Sequence, residues 1–301
     1  MFSTLLGPLP PAPDAPPDAA PDADRRLEDA LALAAVGLEV ISDGGPASGR
    51  ADAADAVVDR WRAVAGVTGA AVKAVLVGPW TDAVTSPRNA NELAERLRPT
   101  ILALAAAGCP LVEIAETDVA SIATDPSAAH AFAEAHRRLV DGSEGVHCSL
   151  ALTGASLDGA GAATFFDLAY ASYAFDLIAG PDNWRLIAEA PSDRGIVCGA
   201  IGLAADADAT REVLVWAAHY AASTRGRGLA RVGLANAPSM PGTPSPDRGE
   251  TLRRLAIVAE ASRIAAVESA EEMAGMLDPR AIDPRSAAFG RFAPAGRRRR
   301  S

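Results

Sequence analysis

Val72-Lys73-Ala74-Val75-Leu76-Val77 runs into Gly78-Pro79, then into a long helix-like stretch that stops at Gly108, then into Pro110-Leu111-Val112-Glu113-Ile114-Ala115. That stretch decides the fold. Both runs are dominated by Val, Ile, Leu and Ala, and Gly-Pro closes the first, which is the composition and punctuation of a buried strand. Between them Leu93, Leu97, Ile101 and Leu104 recur at spacings of four, four and three. That spacing stacks them on one face of a helix. Strand, helix and strand in this order form a parallel crossover unit.

The unit repeats in both directions. Apolar runs at 2–6 and 38–42 precede it, and runs at 145–152, 175–179, 195–203 and 229–235 follow it. Helical patterns separate them, among them Leu27, Leu31 and Ala34, then Val213, Trp216, Ala217 and Tyr220, then Leu252, Leu255, Ala256 and Ala259. Asp125-Pro126 marks a helix start, because proline is favoured at the first helical position. Eight strand–helix pairs in order predict an α/β protein, a single closed (βα)8 TIM barrel over residues 1–265. A Pro-, Ala- and Asp-rich stretch from 8 to 24 offers little apolar area to bury, so it is read as an extended loop after strand one. Residues 266–301 are read as a C-terminal extension ending in the basic run 297–300. The competing topology, an open doubly wound sheet, often carries a GxGxxG turn after its first strand, and none is present.

Composition narrows the function. Of 301 residues, 49% are hydrophobic, enough for a large core, and the formal charge of −10 disfavours contact with nucleic-acid phosphates. No apolar run has the length of a membrane span and no basic, apolar leader opens the chain, so a cytoplasmic protein without membrane contact is expected. Three cysteines, an odd number, argue against a disulfide framework. A small-molecule substrate is the expected partner, and the sequence points to no protein partner.

In a barrel of this kind chemistry sits at the C-terminal strand ends. Glu116 and Asp118, just past strand four, could divide into acid and base if their surroundings differ, or could cap a helix and face solvent. His147 is either a pocket imidazole or a core histidine with one satisfied nitrogen. Trp80, after Gly78-Pro79, could stack on a flat ring or pack the rim. Glu116, Asp118 and His147 are therefore the catalytic candidates, and Asp43, Trp80 and Asn236 the substrate-binding ones. His130, His136 and His219 fall on helices and are read as surface or interhelical. Cys109, Cys148 and Cys198 are read as small buried hydrophobes. No phosphate-binding GxxxxGK, nucleophile elbow or HExxH is present.

Six segments, in order, resemble the C-terminal catalytic barrel of the cobalamin-independent methionine synthase family. Leu5-Leu6-Gly7-Pro8-Leu9-Pro10 resembles its T-x-G-S-F-P, and Gly37-Leu38-Glu39-Val40-Ile41-Ser42-Asp43-Gly44 its G-L-D-V-x-x-D-G-E. Val72 to Pro79 resembles V-K-x-x-L-T-G-P, and Glu113-Ile114-Ala115-Glu116 resembles Q-I-D-E-P. His147-Cys148-Ser149 resembles H-x-C, and Asn236-Ala237-Pro238-Ser239 resembles N-P-D-C. The resemblance implies a methyltransferase of methionine biosynthesis, moving a methyl group from methyltetrahydrofolate to the sulfur of homocysteine. It also implies a zinc ion, held by one His, two Cys and one Glu, that keeps the thiol as the nucleophilic thiolate.

The departures point the other way. The implied metal cysteines fall on Ser149 and Ser239, the metal glutamate near Ala179, and only His147 is kept. Hydroxyls are poor zinc ligands beside thiolates, so zinc held in the family's manner is not expected. The implied substrate groups fall on Pro8, Gly45 and Ala115, while Asp43 and Glu116 persist. The sequence thus predicts a diverged member whose methyl transfer is weakened or lost, with methyl-folate as the implied substrate. A non-catalytic binding or scaffold protein on a degenerate barrel is the alternative. A related metal-free decarboxylase would need arginines aimed into the pocket, and only Arg50 stands near a strand end.

Overall fold

Each strand faces two ways, and the two faces meet different surroundings. In a computed structural model, which describes residues 1–7, 9–10, 22–45, 53–203, 210–238 and 247–277, eight strands close into a barrel in sequence order, all parallel, with β1 returning to β8. The order is β1 (Phe2–Thr4), α1 (Ala23–Ala35), β2 (Val40–Ser42), α2 (Ala54–Ala65), β3 (Ala71–Val77), α3 (Pro79–Val84), α4 (Ala90–Ala106) and β4 (Leu111–Glu116). It continues with α5 (Pro126–Val140), β5 (His147–Leu152), α6 (Ala163–Phe166), β6 (Ser172–Asp176), α7 (Asn183–Glu189) and β7 (Gly195–Ile201). The last elements are α8 (Arg211–Ser223), β8 (Val232–Asn236), α9 (Arg248–Ala265) and α10 (Ala270–Met276). The predicted α/β barrel is the observed one. Pro8, Arg50, Ser239 and the basic run 297–300 lie outside the described residues.

Side-chain alternation along β3 explains the layering. Val72, Ala74 and Leu76 join the main apolar layer between strands and helices, together with Ile114, Leu150, Phe175 and Leu234. The opposite faces look into the lumen, where Leu6, Ala151, Ala174, Val197 and Ala235 form a second, smaller cluster. A buried ion pair crosses that lumen. Lys73 Nζ lies 2.5 Å from Glu113 Oε2 and donates to the Leu5 carbonyl at 2.5 Å, so it joins β1, β3 and β4. Such a pair costs desolvation, which close geometry and the added carbonyl offset.

Three expectations shift. Strand six is Ser172–Asp176 rather than 175–179, because Asp176 accepts the N–H groups of Ile178 and Ala179, both at 2.9 Å, and turns the chain. Strand eight begins at Val232, after a 3-10 turn at Leu229–Arg231. The stretch after strand three holds two helices, because Pro79 opens the extra short helix α3 at its first position.

The foot of the barrel is tied by one guanidinium. Arg227, 3% exposed, donates to the carbonyls of Ala190 at 2.9 Å, Ala221 at 2.7 Å and Arg194 at 3.0 Å, and to Thr224 Oγ1 at 2.6 Å. The Ala190 and Ala221 carbonyls are orphans left where α7 and α8 end. Burial pulls the Arg227 guanidinium below its ordinary value. No helix among the described residues is long and apolar enough to cross a membrane.

Candidate functional site

At the mouth the acidic groups hold backbone. Glu116 ends β4 on its outward face and is completely buried. Its Oε1 accepts the Trp80 N–H at 3.0 Å and its Oε2 the Thr81 N–H at 2.7 Å. Those are free donors of the first turn of α3. A third contact comes from a residue the sequence reading placed aside. His136 Nε2 on α5 lies 2.9 Å from Glu116 Oε1, and its Nδ1 lies 2.6 Å from the Tyr170 hydroxyl. His136 and Tyr170 are fully buried, and burial holds the Tyr170 phenol well above its ordinary value. A signal for His136 was present: Phe132, His136, Leu139 and Val140 follow helical spacing, which puts the imidazole on the buried face of α5.

Asp43 and Asp176 behave alike. Asp43 Oδ1 accepts from Gly45 N at 3.0 Å and Val75 N at 3.1 Å, while Oδ2 meets Arg60 of α2 at 2.9 Å. Asp176 accepts from Gly154 N as well as Ile178 and Ala179, and burial raises its carboxyl against the pull of those donors. Asn236 is buried and works as a spare peptide unit: its Oδ1 accepts from Leu6 N at 3.0 Å and its Nδ2 donates to Leu6 O at 2.8 Å. This extends the β1–β8 seam beyond the last paired residues. Gly45, where the resemblance implies a glutamate, is crowded, since a Cβ there would stand 2.4 Å from the Val75 carbonyl oxygen.

Over β3 to β5 the mouth opens into clefts. Helix α3 divides the open side into two clefts. One, of about 420 Å³, is lined by Val77, Thr81, Asp82, Thr117, Asp118 and Gly154, among others. The other, of about 360 Å³, is lined by Trp80, Arg88, Asn89, Asn91 and Asp118, among others. Asp118 is exposed and borders both. Trp80 is half-buried, with its indole N–H on the Asp118 carbonyl at 3.0 Å and its ring edge-on to Phe132 at 6.1 Å.

His147 does not join them. It is the first residue of β5, so it stands at the foot, opposite the strand ends. From His147 to Leu152 the strand climbs about 16 Å at its usual rise. Its Nε2 lies 2.7 Å from Ser172 Oγ, and burial lowers its imidazole. The expected grouping of His147 with Glu116 and Asp118 is thus corrected, because a residue that opens a strand cannot reach the mouth that the strand points to. The implied zinc positions separate for the same reason. His147 is at the foot, Ser149 is midway up β5, and Ala179 lies beyond the end of β6 and offers no donor side chain. These residues do not fit a zinc ion. Among the described residues no three His, Cys, Asp or Glu groups cluster as a metal site. All three cysteines are buried, and burial raises the Cys109 thiol to about 11.

The sequence matches no protein-family model and no curated protein. Solved structures share its shape. A putative vitamin-B12-independent methionine synthase from Listeria monocytogenes is similar at 14% identity and a TM-score of 0.63, covering 82% of this chain and 87% of that one. A methyltransferase from Methanosarcina mazei is similar at 12% identity and TM-score 0.57, covering 80% and 85%. A D-psicose 3-epimerase from Clostridium cellulolyticum is similar at 12% identity and TM-score 0.52, covering 81% and 94%. At such identities the likeness is one of fold, and it joins methyltransferases and epimerases in a shared (βα)8 barrel.

Proposed function

We propose that this chain is a cobalamin-independent methionine synthase-like barrel that has lost metal-dependent methyl transfer and binds a small molecule in the clefts beside α3. One observation carries the reading. Glu116 and Asp43, the acids kept from the resemblance, are fully buried and engaged by backbone N–H groups and by His136 or Arg60. Glu116 is then a positioning residue, and Asp118, Thr81 and Thr117 are the polar groups left to meet a ligand. A carboxylate and hydroxyls over an apolar floor of Val77 suit a ligand bearing an ammonium or hydroxyl groups, with Trp80 at the rim for a flat ring. Zinc takes no step in this reading, because its implied ligands are a foot histidine, serines and an alanine.

The second reading, a scaffold without a ligand, is favoured by Gly45, where a Cβ would strike the Val75 carbonyl, and by Asn236, whose side chain is bonded to the Leu6 backbone. One experiment separates the two. Purified protein is assayed for metal content, for thermal shift with methyl-folates, homocysteine and related thiols, and for methionine formation. Substoichiometric zinc, a shift with one of these compounds that Asp118→Asn weakens, and no methionine are expected. A flat screen favours the scaffold. Methionine formed from methyltetrahydrofolate and homocysteine, or near-stoichiometric zinc, overturns the reading.

A further inference from the structure

Helix α3 and the segment after β4 are cross-tied. Thr81 Oγ1 accepts the N–H groups of Thr117 at 2.8 Å and Asp118 at 3.3 Å, and the Trp80 indole donates to the Asp118 carbonyl. Together they form one lip with a cleft on either side. The first turn of α3 is seated on a single acid, Glu116, and Gly78 lets that acid approach: a Cβ at 78 would stand 2.1 Å from its carboxyl carbon. Val84, at the far end of α3, is 59% exposed.

Behind the seat, with Glu116 as a carboxylate, one arrangement of hydrogen bonds matches every donor. A carboxylate only accepts, so His136 Nε2 must carry a proton and donate to Glu116. If Nδ1 were also protonated, the buried Tyr170 hydroxyl would have to accept, and its own proton would have no acceptor among the described residues. With Nδ1 bare, Tyr170 donates to it and each donor is matched. We infer that Tyr170, His136 and Glu116 form a directional chain in which Tyr170 fixes the imidazole tautomer, and that this chain positions the α3 lip of the mouth. Tyr170 and His136 act through Glu116, as positioning residues. The chain requires no bound ligand, so it stands or falls separately from the proposed binding function.

The test is hydrogen exchange and nitrogen NMR on the full chain. The His136 ring should show the neutral form protonated on Nε2. Tyr170→Phe should speed exchange of the Trp80 and Thr81 amides about five- to tenfold, the loss of about one hydrogen bond expressed as local opening. Tyr173→Phe is the control. It removes an equally buried hydroxyl, which donates to the Phe165 carbonyl at 2.7 Å, and should leave those amides unchanged. An imidazole protonated on Nδ1, a doubly protonated ring, or equal effects of the two variants on Trp80 and Thr81 would overturn the inference.

Discussion

The two ends of the barrel solve opposite problems with opposite charges. At the mouth, Glu116 accepts the free N–H groups that open α3, and Asp43 and Asp176 accept those of the turns that follow β2 and β6. At the foot, helices end and present free carbonyls, and Arg227 donates to them. Because the strands all run one way and the helices that cover them run back, helix N-termini gather at the mouth and C-termini at the foot, and that polarity favours acids at one end and a cation at the other. A carboxylate at a strand end is therefore not by itself a catalyst. It earns that reading only if an oxygen faces an open cleft, and among the acids discussed Asp118 best meets that condition. Guanidinium groups reach the mouth as well: Arg60 meets Asp43 at 2.9 Å, and Arg254 donates to the Gly202 carbonyl at 2.8 Å.

The comparison can be broken at several points. The largest effect is expected at Glu116. Glu116→Ala strands two peptide donors and a histidine, so urea denaturation should show a loss of about 3–5 kcal/mol. A loss under about 1 kcal/mol would mean the acid is not holding the lip. At the other end Arg227→Met should cost about 2–3 kcal/mol, because several buried carbonyls lose their donor. Gly78→Ala should cost about 1–3 kcal/mol through collision with the carboxyl group. That cost should shrink markedly in a Glu116→Ala background, since the two changes share one contact.

Acid titration sharpens the contrast, because the two ends differ in sign. Partial desolvation lowers the imidazole of His147, so the unfolded chain takes the proton first. Its contribution is intact above 6.5 and is lost as pH falls through 6.5. Asp176 is raised by burial, so the folded chain takes the proton first, and stability is gained as pH falls from that raised value towards 3.8. Melting curves of His147→Gln and Asp176→Asn against pH should each lose one of these opposed slopes, and two slopes of the same sign would contradict the assignment. The smallest effect is expected at Asp118. It is exposed, so Asp118→Asn should leave the melting temperature almost unchanged while weakening any ligand shift.

Much of this architecture was legible from residue order. Val72 to Val77 and Leu93 to Leu104 carry period and punctuation strong enough to identify a parallel unit, and eight such units can close only in a few ways. Side-chain destinations were less legible. His147 lies in a run whose direction is plain, yet whether a residue opens or closes a strand depends on boundaries, and boundaries are set by contacts such as those of Asp176 with Ile178 and Ala179. The Glu116–His136 pair joins a strand end to a helix across the apolar layer, and no local spacing encodes a meeting of that kind. The resemblance of motif order was likewise blind to height along the barrel axis, which is why His147 and Ala179 could align in sequence and stand at opposite ends in space.

The crowding at Gly45 bears on redesign. One substitution cannot place an acid at that position, because its first carbon would collide with the peptide oxygen of the neighbouring strand. The backbone bend would have to be rebuilt before such a group was of any use. New chemistry engineered into this barrel has its easier routes through Thr81, Thr117 and Asp118, which already border a cleft.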